Sequence, residues 1–579
     1  MNRGLRRKQN KQQRRGATPR NADKALQKAL SAVEAGDPAT AFTLAIKILA
    51  DTGRDDAAGL AAHAAVQLPT PEAAVTAFAR LSELRPDDAD IENDYGGALC
   101  QAGRFEDAER TYRRALDRRA GDGMLLANLG QALLGQKDLP AAEAAFRSAL
   151  NALPNLAGGH HGLGLALKDQ GRLADAVTHF RRAFQLEPSF RNYRIDLEDI
   201  LKAAGEGFDE RERMYRADLF KNADDVAAAM QLACVLRDTD RGDQARELVD
   251  SWIARGHDLA LADQGQVHEI LGELQFLQGD FERAWENHHW RLQRRERWSG
   301  PPAQPAWLGE PLAGKSIFVY AEQGVGDQIM YMALLPDLLA RGARVVLESE
   351  ARLVPLFQRS FADVECVAAE NPPAAATTDP DIDYHVAMGS LGCWLWRDFA
   401  VRPASPFLAA DPTHTQTLRD QYQAGNQDVS LVGIAWQSPK AKFGGVKSLS
   451  LRDLAPLFEH PNTRFIDLQY GDTAAERSAL HAASGIEVVH DDGVDQWADL
   501  DAFAAQVAAM DAVVSISNST VHMAGALGVP TTVLLSPAPQ WKWGAQGETT
   551  PWYAATRLLR RANDETVAEQ IRRAAALLV

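Results

Sequence analysis

The apolar and small positions of this chain keep one rhythm up to about residue 295 and another from about residue 314. In the first stretch they recur with a step of 34 residues. Gly96, Gly130 and Gly164 hold that step. So do Ala108, Ala142 and Ala176, then Tyr112, Phe146 and Phe180, and then Ala115, Ala149 and Ala183. Pro154 and Pro188 close two of the units, and Ala74, Phe78 and Pro86 continue the phase one step back. A period of this kind predicts stacked pairs of antiparallel helices, an α-solenoid. Glycine or alanine at the crossing lets two helix backbones approach, and the aromatic fills the gap beside it. Each pair then leaves an apolar face that only its neighbour can cover. Weaker copies lie near Gly36-Asp37 with Ala41, near Leu232-Ala233 with Ala245, and at Gly272, Gly279, Asp280, Phe281 and Ala284. The stretch from about 190 to 225 is out of phase and predicts an irregular helical connection. His160 and His161 open one repeat helix and read as exposed or packing side chains rather than metal ligands.

Ser299 to Pro305 is rich in proline and reads as a linker. Beyond it, short apolar runs alternate with turns and helices. Ser316–Tyr320 predicts a strand, Ala321–Asp327 a glycine turn, Gln328–Ala340 a helix and Ala343–Glu348 a second strand. That is a βαβ unit, but without the full GxGxxG pattern or an acid at the ribose position, so a dinucleotide dehydrogenase fits poorly. Val364–Val367 and Tyr384–Ala387 read as further strands. Asp381-Ile382-Asp383 has no other carboxylates around it, which argues against a metal role. A second lobe begins near Val429. Its strand Ser430–Trp436 leads into a basic segment, Lys440 to Ser448, with Lys440, Lys442 and Lys447. A helix over Leu451–Phe458, a strand over Thr463–Gln469 and a helix over Leu500–Met510 follow.

The most informative stretch is Ser515 to Pro530. The apolar run Ala512-Val513-Val514 feeds a small polar turn. A helix is expected to open at Thr520 and stop at Gly528, and a strand, Thr532–Leu535, comes next. Such a turn leaves free backbone N–H groups at a helix start, with the positive end of the helix dipole behind them. Ser519 and Thr520 add hydroxyls and His522 an imidazole, which makes a cradle for an anion such as phosphate. The alternative is an N-capped helix with no ligand. A last helix is expected over about Asp564–Leu578.

Composition narrows the class. The chain has 579 residues, enough for roughly three or four domains. Hydrophobic residues make up 46% and charged residues 24%, as in a soluble globular protein. A net charge of -16 argues against general nucleic-acid binding. Cys100, Cys234, Cys366 and Cys393 form no CxxC pair, which excludes a disulfide framework or a zinc site and fits a reducing, cytoplasmic setting. No apolar run approaches the roughly 18 residues that span a bilayer, so no transmembrane segment is expected. Residues 1–20 carry Arg3, Arg6, Arg7, Lys8, Lys11, Arg14, Arg15 and Arg20 and no acid. With no apolar segment behind them, they read as a disordered basic tail rather than a secretory signal.

The repeat pattern resembles the tetratricopeptide repeat. Glu322 to Gln328, Leu468-Gln469-Tyr470-Gly471, Asp511 to Pro530, Trp541-Lys542-Trp543 and Pro551-Trp552-Tyr553 together resemble bacterial tetratricopeptide-repeat glycosyltransferases. Their catalytic half is similar to the lipopolysaccharide heptosyltransferases, and the architecture looks like that of flagellin glycosyltransferases. The resemblance implies a GT-B fold, two facing Rossmann-like lobes with the site between them. It divides the chain into a tail (1–20), a repeat solenoid (21–295), a linker (296–313), an acceptor-side lobe (314–428) and a sugar-nucleotide-side lobe (429–579). It implies metal-independent sugar transfer, with no cofactor and a sugar nucleotide as donor substrate. The acceptor would be a protein, flagellin Ser/Thr first among them, recruited by the repeats.

By the same resemblance Asp327 is the base that takes the acceptor's proton, with Gly324 and Gly326 letting the hydroxyl approach. The alternative for Asp327 is a helix cap. His522, Asn518, Ser519 and Thr520 would meet the donor phosphates, with Lys447 beside Ser448 as the cation. Gln328 belongs to the same donor-side set, and Trp436, Gln469 and Tyr470 would line the base pocket. Trp436 reads equally as core. Many relatives carry Asp-Thr where this chain has Ser517-Asn518, a change that bears on donor choice or activity. A glycolipid or lipopolysaccharide transferase, or a non-catalytic repeat scaffold with a degenerate transferase half, are the competing functions.

Overall fold

The computed structural model describes residues 19–255, 259–293, 302–369, 375–396, 405–438, 448–538, 540–562 and 564–578. Expectations for residues 1–18 and for Lys440, Lys442 and Lys447 therefore lie outside the described residues. The chain forms two compact units, Met1–Ala204 and Gly205–Val579.

The first unit is a helical solenoid that runs in antiparallel pairs from Pro19–Glu34 to Arg191–Ala204. Its period has a steric cause. A Cβ built on Gly96 would lie 2.5 Å from the Tyr112 ring, one on Gly130 2.9 Å from Phe146, and one on Gly164 3.1 Å from Phe180. All three rings are buried. The Asp88, Asp122 and Asp138 carboxylates cap the helices that follow them by accepting backbone N–H groups of the first turn. The turn between paired helices needs a left-handed residue. Gly103 (φ 72°) and Gly171 (φ 78°) supply it, and Lys137 (φ 66°) takes the same conformation in the unit between them.

The irregular connection expected around 190–225 is not what forms. Arg191–Ala204 and Phe208–Lys221 are regular helices. Gly205 (φ 68°) keeps the left-handed turn position of the other units, but Gly207 (φ 66°) is left-handed as well, a turn unlike theirs. Tyr193, Leu197, Ile200 and Leu201 replace the small residues as the buried face.

The second unit opens with five helices, Phe208–Lys221, Val226–Asp238, Gly242–Ile253, Leu261–Gln278 and Phe281–His289. Two parallel sheets follow. The first contains β1 (Ser316–Tyr320), β2 (Arg344–Ser349), β3 (Glu365–Ala368) and β4 (Tyr384–Ala387) in the order β3-β2-β1-β4. The second contains β5 (Ser430–Ala435), β6 (Thr463–Asp467), β7 (Val488–Val489), β8 (Ala512–Ile516), β9 (Thr531–Leu535) and β10 (Thr556–Arg560) in the order β10-β9-β8-β5-β6-β7. Strands of a parallel sheet covered on both faces are largely apolar, and β1 and β9 are buried along their whole length. In the first sheet the chain steps outward from β1 to β3 and returns on the other side of β1 as β4. In the second it steps outward from β5 to β7 and returns beside β5 as β8. The carboxyl ends of β1 and β4, and of β5 and β8, are thus the switch points at which open α/β sheets bind ligands.

Three boundaries differ from those expected. The helices between 208 and 293 belong to the same unit as the sheets. Residues 302–313 are a packed part of the first lobe: Trp307 and Leu312 are buried, Ala306 pairs with His385, and the Gln304 side chain donates to the Ala376 and Asp379 carbonyls. The chain also reaches the second lobe before residue 429. Phe407 and Leu408 donate to the Ala526 carbonyl, and the helix Pro412–Gln423 places Tyr422 against Asp491 and Gln506. The helix expected over Gln328–Ala340 is broken into Val325–Tyr331, a 3-10 turn and Leu335–Leu339, where Pro336 takes a first-turn position that needs no N–H donor.

Candidate functional site

The loop after β1 is held from below by a buried ion pair. Arg291, wholly enclosed, binds the Glu322 carboxylate, which also accepts Gly389 N–H at 2.9 Å from the loop after β4. Gly389 has no room for a side chain, since a Cβ there would lie 2.6 Å from Glu322 and 2.7 Å from Arg291. Gln323 then adopts φ 64°, strained for a non-glycine residue, and turns the chain into the helix Val325–Tyr331. That helix carries Asp327. One carboxylate oxygen, Oδ2, accepts Gly324 N–H at 3.4 Å and so caps the helix. The other, Oδ1, meets the ammonium of Lys542 from the β9–β10 connection. Burial pushes the Asp327 carboxyl up, but Lys542, with smaller help from His522 and Gly324 N–H, outweighs it and holds the group below its ordinary value.

The second lobe meets this loop directly. A Cβ on Gly326 would lie 3.0 Å from His522 Cδ2 and 3.4 Å from Ser519 Cα. His522 sits on the helix Ser519–Leu527, which ends at Gly528 (φ 79°) as the pattern required. Its ring stacks on Trp543 with centroids 5.1 Å apart, and its Nδ1 lies 2.9 Å from the Tyr553 hydroxyl. Burial, with the Asp327 charge adding, raises the Tyr553 hydroxyl pKa well above its ordinary value. At the helix start the Asn518 side chain accepts Thr520 N–H at 3.1 Å. The Thr520 hydroxyl is buried and has no hydrogen-bond partner among the described residues. Burial raises the Tyr470 hydroxyl pKa, with Ser519 and Ser438 beside it opposing the rise, and Ser438 N–H donates to Ser448 Oγ at 3.0 Å. Asp327, Gly326, His522, Ser519 and Tyr470 are therefore gathered in one place, at the switch points of both sheets.

Three expected donor-binding residues have partners within the fold. Trp436 is fully enclosed, and its indole N–H donates to Glu476 at 2.8 Å, so it packs in the lobe rather than lining a pocket. Gln469 is buried as a clamp: its Oε1 accepts Trp436 and Gln437 N–H, and its Nε2 donates to the Tyr470 carbonyl. Gln328 is buried, with its Oε1 accepting Glu350 N–H at 3.0 Å and its amide reaching back to Gln323. Asp383 holds Lys315 and Ser316 N–H, each at 2.8 Å, and so pins the start of β1.

The sequence reading gave Lys542, Trp543 and Tyr553 no role. The signal lay in the Trp541-Lys542-Trp543 triplet, a cation between two large rings. Trp541 stacks on Phe276 with centroids 4.9 Å apart, and the Trp543 indole N–H donates to Ser517 Oγ at 2.8 Å. Trp552 donates to the Lys542 carbonyl at 2.8 Å.

Tetratricopeptide-repeat models match residues 60–123, 96–157 and 157–190. The solenoid is of that kind. The chain is also similar to Protein FlbA of Caulobacter vibrioides, 27% identical over 566 residues that cover 93% of this chain and 87% of that one. Among solved structures, the MamA protein from Desulfovibrio magneticus RS-1 is 20% identical at a TM-score of 0.27, over 29% of this chain and 96% of that one. YrrB, described as a TPR protein with an unusual peptide-binding site, is 15% identical at 0.26, over 30% of this chain and 90% of that one.

Within the first unit the repeats form a groove of about 570 Å³ lined by Met124, Asn128, His161, Phe190, Tyr193 and Asp196, among others. Met124, Phe190 and Ile195 are exposed apolar side chains there. His161 and Asp196 pair at 2.7 Å, and Asn128 donates to Asn93 at 2.8 Å. His160 stacks on His179, with burial lowering the pKa of both. Among the described residues no helix is long and apolar enough to cross a membrane.

Proposed function

We propose that this chain is a protein O-glycosyltransferase of the GT-B kind. It moves a sugar from a nucleotide-activated donor to a serine or threonine of a protein acceptor, flagellin first among them. The observation that carries the reading is the meeting of Asp327 with His522 and the start of the Ser519–Leu527 helix across two parallel-sheet lobes. A buried carboxylate held in its charged form suits proton acceptance from an acceptor hydroxyl. Opposite it, a helix N-terminus with a buried hydroxyl lacking a partner suits a leaving phosphate, whose growing charge needs fixed donors. The groove of the repeat unit, which mixes apolar and polar side chains, suits an extended peptide segment of the acceptor. A lipid-linked acceptor has no need of that groove.

The scaffold reading draws on one observation, the ion pair that occupies Asp327. One comparison separates the two. The protein that copurifies with this chain is weighed by intact mass from cells carrying the wild type or Asp327→Ala. A sugar-sized mass gain present only with the wild type supports transfer. Equal masses favour the scaffold.

A further inference from the structure

The cation that meets Asp327 is more firmly placed than an ordinary surface lysine. Its backbone carbonyl accepts the Trp552 indole N–H. One neighbour, Trp541, is stacked on Phe276, and the other, Trp543, is stacked on His522 and bonded to Ser517. Ser517 and His522 flank the start of the Ser519–Leu527 helix. Lys542 thus stands between the carboxylate of one lobe and the anion cradle of the other, with its ammonium 5.9 Å from the Trp541 ring centre. The pair is not sealed: the side chains keep 14% exposure at Asp327 and 24% at Lys542. A fixed backbone under a four-carbon side chain allows one ammonium to serve two anions in turn.

We propose that Lys542 is a shared cation of the transfer reaction: it neutralises Asp327 while the cradle holds no anion, and turns to the donor's phosphate when the donor enters, leaving Asp327 as the base. This rests on the transferase reading. In the step itself the acceptor O–H breaks and its proton goes to the Asp327 carboxylate. The oxygen's electron pair forms the new bond to the sugar's anomeric carbon. The bond from that carbon to the phosphate oxygen breaks, and its electron pair stays on the phosphate. Lys542 neutralises that charge without giving up a proton. Water alone, arriving without a donor, meets a base already engaged, so the arrangement couples proton removal to donor binding.

Inorganic pyrophosphate is the probe, because it carries the charge without a sugar or base. Its binding to the full chain is measured by calorimetry and thermal shift for the wild type, D327N, K542M, K542R and the D327N/K542M double variant. Asn at 327 keeps the shape and removes the competitor. The shared cation therefore requires D327N to bind pyrophosphate about tenfold more tightly than the wild type. The gain disappears in the double variant, and K542R retains binding. If K542M fails to fold, the D327N and K542R arms carry the test. A pair that merely latches the lobes gives the opposite result: D327N loosens them and binds pyrophosphate equally or more weakly, which overturns the proposal. The transferase reading fails separately. If D327N abolishes the acceptor's mass gain without tightening pyrophosphate, only the shared cation falls. If D327N tightens pyrophosphate yet still transfers sugar, Asp327 is not the base.

Discussion

Asp327 is under two opposing pressures, burial that favours its neutral form and Lys542 that favours the charged one, and the charge wins. The consequence for stability has a definite sign. A carboxyl whose folded pKa is lowered stabilises the fold above the unfolded value of about 3.9 and loses that contribution as the pH falls through the folded value. Wild type should therefore exceed D327N by about 2 kcal/mol near neutral pH, because Asn leaves the largely buried Lys542 without its partner. The difference should close below about pH 4 in a series of thermal unfolding curves; a gap independent of pH would refute this account. Gly326 makes a second prediction. Gly326→Ala pushes a methyl against His522 and Ser519 and should cost about 1 kcal/mol, with the proposed transfer lost more steeply than stability. That Asp327, Gly326 and His522 lie together was legible because a glycine turn after one strand and a polar turn after another fall at the carboxyl ends of parallel strands. Trp436, Gln469 and Gln328 were expected on the donor side, and each has partners within the fold. A polar side chain near a strand end can serve a ligand or satisfy buried backbone groups, and spacing alone does not separate the two.

At the level of elements, the repeat units were legible because each position in the period answers a steric demand. The glycine and the aromatic sixteen residues on are one contact seen three times, at Gly96 with Tyr112, Gly130 with Phe146 and Gly164 with Phe180. Where large residues took over the core, as in Arg191–Ala204, the period vanished although the helix did not. The same register exposes a conformational cost. Lys137 is left-handed at the turn where its neighbours are Gly103 and Gly171. A non-glycine residue there carries roughly 1 kcal/mol of strain. Its contact with Asp169, at 3.4 Å on the surface, contributes little in return. Lys137→Gly should raise stability by about 0.5 kcal/mol, the gain being reduced by glycine's greater freedom in the unfolded chain. Chemical denaturation with an unchanged slope and a later midpoint would bear this out; a loss of stability would show that the strain is not what the lysine brings.

For the whole molecule, the question is where the sheet-bearing part begins. The pattern placed the boundary near 295, because the glycine and alanine rhythm persists to Ala284 and a proline-rich stretch follows. Packing places it at 205. Trp285, from the last helix before the sheets, is fully buried and fills the space that Gly392 leaves, and Phe276 stacks on Trp541. Arg291 pairs with Glu322 in the loop that leads to Asp327. A fragment starting at 296 therefore lacks a tryptophan from its core and leaves a buried carboxylate without its cation, losses of about 3–5 kcal/mol each. Those two terms alone rival the 5–15 kcal/mol that holds a typical domain folded. The fragment 205–579 should thus unfold in a cooperative transition and resist brief proteolysis, whereas 296–579 should show neither. Arg291→Met in the full chain tests the charge alone: it should lower the unfolding temperature of the sheet-bearing part and impair the proposed sugar transfer, since the Gln323 turn that presents Asp327 is built on Glu322. A 296–579 fragment as stable as 205–579 would mean that the helices before the sheets only accompany the site and do not hold it in place.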